Sequence, residues 1–131
     1  MSSDVEAVGV VVAHGDMAQG LVDAVRRIAG GAADGLVAIS NEAKTRRELV
    51  SELDAAAGGR PALVFVDLQA GSCGMAALTS CRDAEERAVL CGVNLPMLLD
   101  FVFNRGEAFE VLIPRLVEKG RQAIGPARSS S

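Results

Sequence analysis

Three short stretches hold the side chains that could do chemistry. The first, Ala13-His14-Gly15-Asp16, contains the only histidine of the chain. The second begins at Asp67 and runs into Ala70-Gly71-Ser72-Cys73-Gly74. Those five residues are a relaxed form of G-x-S-x-G, the strand-to-helix turn that exposes a nucleophilic serine. The third is Gly92-Val93-Asn94-Leu95-Pro96-Met97. A serine nucleophile needs a histidine in reach and an acid to orient that histidine. In hydrolases built on this turn the histidine follows the serine in the chain. Here none follows Ser72, so His14 would have to serve from upstream with Asp67 as the acid. A more economical reading makes His14 itself the nucleophile. Asp67 then accepts a hydrogen bond from one imidazole nitrogen and fixes the tautomer, and the other nitrogen keeps its lone pair. The backbone N–H groups around Gly15, Gly71, Ser72 and Cys73, with the Ser72 hydroxyl, could hold phosphoryl oxygens. Phosphoryl transfer asks mainly for positioning and charge stabilisation, so so small a site suffices.

These residues need elements to place them. Val5–Ala13, Leu36–Ser40, Ala62–Leu68 and Arg87–Val93 are apolar runs without alternation. Such runs read as strands buried on both faces, as in a parallel sheet. Helical patterns separate them. Met17–Ala29 carries Leu21, Val22, Val25 and Ile28, and Gly30-Gly31 stops it. Ala43–Ala57 carries Leu49, Val50, Leu53 and Ala57. A helix of small residues follows Ser72 through Met75 and Leu78. Leu95–Asn104 offers Leu95, Leu98, Leu99, Val102 and Phe103, and a last helix offers Phe109, Leu112, Ile113, Leu116 and Val117. Pro114 either kinks that helix or marks its true start. The alternation of strands and helices argues for a doubly wound α/β fold with helices on both faces. In such sheets ligands bind beyond the carboxyl ends of the strands, where strands one and three commonly lie side by side. His14 and Asp67 would then face each other. Asp16 is expected to cap the first helix, with Gln19 as a partial box partner.

Composition narrows the function classes. At 131 residues the chain suits one domain, assigned to residues 1–124 with a flexible tail at 125–131. The formal charge of −4 and the absence of Trp and Tyr argue against a nucleic-acid groove. No apolar run nears the ~20 residues of a membrane span, and the first residues carry no basic leader, so a cytoplasmic protein is expected. Cys73, Cys81 and Cys91 are odd in number and form no C-x-x-C, so neither a disulfide framework nor a metal site is expected, and the three read as small buried thiols. No cofactor is called for.

The three stretches together resemble the EIIA component of the mannose family of the bacterial phosphoenolpyruvate-dependent phosphotransferase system. Val10–Leu21 is a strand ending in His-Gly and feeding a helix. Val66–Ala77 resembles the family's D-[LT]-x-G-G-S-P, and Cys91–Asp100 its G-V-N-[LI]-P-M-L. The resemblance covers roughly residues 4–124. It implies that His14 takes a phosphoryl group on Nε2 from the carrier HPr and passes it to an EIIB component, with Nδ1 turned toward Asp67 and Ser72 in the phosphate-side turn. It implies strand order 2-1-3-4, a homodimer, and a fifth, antiparallel edge strand exchanged between subunits. The Gly-Gly-Ser-Pro of the family is here Ala70-Gly71-Ser72-Cys73. Ala70 restricts φ, and Cys73 restores an N–H that proline lacks. Asn94 reads first as a helix cap with Pro96 in the first turn; the other use of the loop is docking of a partner through Asn94, Leu95, Pro96 and Met97. A regulatory phosphoacceptor with no transport role is the alternative function, and a Ser72 hydrolase a distant third.

Overall fold

The computed structural model describes residues 5–82 and 84–127. Strand β1 is Val8–Ala13, followed by helix α1, Met17–Ala29, and a short 3-10 segment, Gly30–Gly35. Then come β2, Leu36–Ser40; α2, Arg46–Ala57; β3, Ala62–Val66; and α3, Ser72–Cys81. Strand β4, Arg87–Cys91, and helices α4, Leu95–Val102, and α5, Phe109–Gln122, complete the described chain. The four strands pair parallel in the order β2-β1-β3-β4. This is the α/β sheet that the resemblance implied.

The absence of alternation in the strand sequences has a direct cause. Every residue of β1 and of β3 is buried. Successive side chains point to opposite faces, and each face is covered. Ala7, Val11, Ala13, Leu63 and Phe65 face a core closed by α1, α4 and α5. Val8, Val10, Val12, Val64 and Val66 face a second core closed by α2 and α3. Gly9 leaves room in the first. The Phe101 ring of α4 lies against it and meets Phe65 edge-on, with ring centroids 5.2 Å apart. A Cβ on Gly9 would sit 2.6 Å from Phe101 Cε2 and 2.7 Å from Leu36 Cδ2.

Several expectations change at the element level. Helix α2 starts at Arg46 rather than Ala43, because Thr45 and Glu48 form a reciprocal capping box. Helix α4 buries Met97, Leu98, Phe101 and Val102 and leaves Phe103 66% exposed, so its inward face is rotated from the expected one. Ile28 is likewise exposed at the end of α1. Pro114 lies inside α5, five residues past its start, and does not begin the helix. Of the three thiols only Cys73 is buried; Cys91 is exposed and Cys81 intermediate, and all three are free. No fifth strand forms among the described residues. Residues 125–127 belong to no helix or strand, and residues 128–131 of the expected tail lie outside the described residues. No helix among the described residues is long and apolar enough to cross a membrane.

Gly9→Ala should lower stability by about 1–3 kcal/mol, the usual cost of overpacking a filled core. Urea unfolding of the two proteins measures it, and a change near zero would show that the Phe101 ring yields freely.

Candidate functional site

Strands β1 and β3 are neighbours and end in step, with Val12 paired to Val66. The chain therefore delivers His14 and Asp67 to the same carboxyl edge from adjacent strands. Asp67 Oδ2 accepts the His14 backbone N–H at 3.0 Å and lies 2.7 Å from His14 Nδ1. The other oxygen, Oδ1, accepts the Leu68 backbone N–H at 3.0 Å. The Asp67 side chain is 9% exposed and that of His14 46%. Burial pushes the Asp67 carboxyl up. The donors from the His14 backbone, the His14 ring and the Leu68 backbone outweigh it, and the group ends below its ordinary value. An ionised carboxylate only accepts, so Nδ1 carries the proton and a neutral ring keeps its lone pair on Nε2.

Nε2 points to the turn after β3. A Cβ on Gly71 would stand 3.6 Å from His14 Cε1 and 3.7 Å from Nε2, in the space a group on that nitrogen would fill. Gly71 also has φ +104°, a conformation that favours glycine. The alanine at position 70 is accommodated because the positive φ falls on its neighbour. Gly74 is fixed by space: a Cβ there would lie 2.0 Å from the Gln69 carbonyl oxygen. No side chain caps α3, so the N–H groups of its first turn face outward without a side-chain partner. Gly15, with φ +59°, turns the chain between His14 and α1. Asp16 stands at the N-cap of α1 but makes no side-chain cap bond, contrary to expectation. Its expected partner Gln19 instead donates to Asp23 at 2.9 Å. The reason is local: at φ −93° and ψ 7° Asp16 lies outside the extended conformation that capping residues adopt.

The sequence reading missed Asn41. Arriving from the end of β2, its Oδ1 accepts the Gly15 N–H at 3.3 Å and its Nδ2 donates to Ser72 Oγ at 3.2 Å. One side chain thus ties the histidine loop to the serine turn. Ser40, just before it, donates to the Gly15 carbonyl at 2.8 Å. The Ser72 hydroxyl accepts from Asn41, and among the described residues no hydrogen bond joins it to His14, so the serine-nucleophile arrangement is not formed here. Cys73 is buried with Sγ 3.8 Å from His14 Nδ1. Burial, then the charge of Asp67, pushes its thiol up against a smaller pull from Ser72.

The Gly92–Met97 loop is held by packing. Asn94 Oδ1 accepts the Met97 N–H at 3.2 Å, and its Nδ2 donates to the Gly120 carbonyl at 2.9 Å, pinning α4 to α5. Met97 is 5% exposed and is not the exposed docking contact considered for it, while Leu95 is partly buried against the same core. Exposed apolar side chains at the chain segments that leave this edge include Met17 at the start of α1, Leu68 directly after Asp67 and Met75 in the first turn of α3.

Residues 9–113 match the model of the family described as PTS system fructose IIA component. Solved structures share the fold. A mannose/sorbose specific IIA subunit of the phosphotransferase system from Enterococcus faecalis is 24% identical with a TM-score of 0.83, over 96% of this chain and 98% of that one. Phosphotransferase system component EIIA from Streptococcus agalactiae is 22% identical with a TM-score of 0.84, over 92% and 96%. A sigma-54 interaction domain protein from Enterococcus faecalis, 10% identical, reaches 0.69 over 92% and 95%. No curated protein matches the sequence.

The lowered Asp67 carboxyl makes a pH prediction. Its folded value lies below its unfolded one, so its stabilisation is present above the ordinary carboxylate range and is lost as pH falls through the folded value. Urea unfolding of wild type and Asp67→Asn should show wild type ahead near neutral pH and the gap closing in acid. A gap that stays constant into strong acid would contradict this.

Proposed function

The chain belongs to the PTS system fructose IIA component family, and on that premise we propose that it is a phosphocarrier: His14 Nε2 accepts a phosphoryl group from phospho-HPr and passes it to an EIIB component. The observation that carries the reading is the 2.7 Å contact between Asp67 and Nδ1, which leaves Nε2 free beside the start of α3. As Nε2 attacks, its lone pair forms the N–P bond while the bond from phosphorus to the donor carrier breaks. The ring gains positive charge, the Nδ1 proton stays in place, and Asp67 balances it. The N–H groups of Ser72 and Cys73, the Gly15 turn and the Ser72 hydroxyl meet the phosphoryl oxygens. Gly71 supplies the space. Asn41 keeps the two loops in register. Met17, Leu68 and Met75 form an apolar rim suited to a protein partner that must bring its own phosphoryl group to His14.

The test is incubation with phosphoenolpyruvate, Enzyme I and HPr, followed by intact mass. Wild type should gain one phosphoryl group and His14→Ala none. Asp67→Ala should slow the gain on the order of 100-fold, the scale of losing one charge-stabilising partner. Gly71→Ala should slow it too, through the filled space and strained φ. Wild type that gains nothing from authentic partners sinks the proposal. Adding EIIB should then remove the label. A label that forms and stays put would favour the regulatory phosphoacceptor instead.

A further inference from the structure

We propose that the His14 site also binds one zinc ion, through His14 Nδ1, Cys73 Sγ and Asp67 Oδ2, and that the bound metal switches off phosphoryl acceptance. The switching half rests on the phosphocarrier reading; the binding half does not.

The Cys73 thiol is the group that phosphoryl transfer leaves without a task. It is fully buried, yet it lies against the ring nitrogen that Asp67 holds. One ligand atom from each of the three residues lies within 4.8 Å of the other two. Zinc binds nitrogen at about 2.0–2.1 Å and sulfur at about 2.3 Å, so in a tetrahedral site these two atoms stand about 3.5 Å apart. Nδ1 and Sγ are already 3.8 Å apart. The carboxylate, now 2.7 Å from Nδ1, has to withdraw by only about 0.6 Å to reach a ligand spacing of roughly 3.3 Å. Imidazole, thiolate and carboxylate together form the borderline donor set that suits zinc rather than magnesium or calcium. The support around the ligands is in place: Leu68 N–H holds Asp67 Oδ1 and His14 N–H holds Oδ2. Water would complete the fourth position.

Binding has a definite proton balance. The thiol gives its proton to water as the Zn–S bond forms. Nδ1 loses its proton to make the Zn–N bond, and Nε2 takes one up, so the ring stays neutral. The lone pair that attacks phosphorus is thereby gone from Nε2, and the Asp67 bond that stabilised the charged ring is spent on the metal. Zinc and the incoming phosphoryl group need opposite tautomers of one histidine.

The experiment uses the reduced full chain. Zinc is titrated against a chromophoric chelator, and cobalt serves as a spectroscopic probe. Wild type should bind one equivalent, and Cys73→Ala and His14→Ala should each weaken binding at least tenfold. The thiolate-to-cobalt charge-transfer band should vanish in Cys73→Ala and persist in a Cys81→Ala/Cys91→Ala double variant. Equal zinc affinity in wild type and Cys73→Ala overturns the site. Phosphorylation of wild type from purified phospho-HPr should then slow at least tenfold with one equivalent of zinc. Tight binding with an unchanged rate overturns the switch. A zinc-free wild type that accepts no phosphoryl group defeats the phosphocarrier reading and leaves the binding result standing.

Discussion

One carboxylate organises the site. Asp67 takes the backbone and the ring of His14 on one oxygen and the Leu68 backbone on the other. It thereby orients the histidine in its loop and sets which ring nitrogen is free. A hydrogen bond to a charged group contributes about 1.5–3 kcal/mol, so three donors on one carboxylate outweigh the cost of its burial. That balance is why Asp67 stays ionised at 9% exposure. The half-exposed imidazole is consequently fixed from behind and open in front.

The rest of the fold serves to bring that pair together. Parallel pairing of β1 with β3 places two strand ends in one plane, and burial on both faces fixes the register, since a one-residue slip would turn every side chain to the other core. Helices α1 and α3 then begin where the strands stop, each with no side-chain cap. Two helix N-termini with open N–H groups border the same histidine, a field that favours an anion. Asn41, just past the end of β2, joins the two loops.

What the sequence revealed depended on how locally each feature is caused. The inner strands were legible because total burial writes itself as unbroken apolar runs. His14 and Asp67 were legible as strand-end residues, and their meeting followed from the common place of strands one and three. Asn41 was not legible: its role exists only because β2 ends beside β1, and no motif marks it. The α4 face was misjudged because the helix is apolar on more than one face, and which face turns inward is decided by packing such as that of Phe101 against Gly9 and Phe65. The thiols looked alike in sequence and differ in burial because α3 lies against the sheet at Cys73 whereas Cys91 ends the outer strand β4. Gly71 and Gly74 both appeared as turn glycines, yet one is required by φ and open space and the other by a carbonyl in contact.

The central claim is that Asp67 assigns the two nitrogens of His14 their separate tasks. The direct measurement is nitrogen-15 and phosphorus-31 NMR of the phosphorylated protein, labelled in the imidazole of its single histidine. The account predicts phosphorus bonded to Nε2, with the proton on Nδ1. Phosphorus bonded to Nδ1 would contradict it.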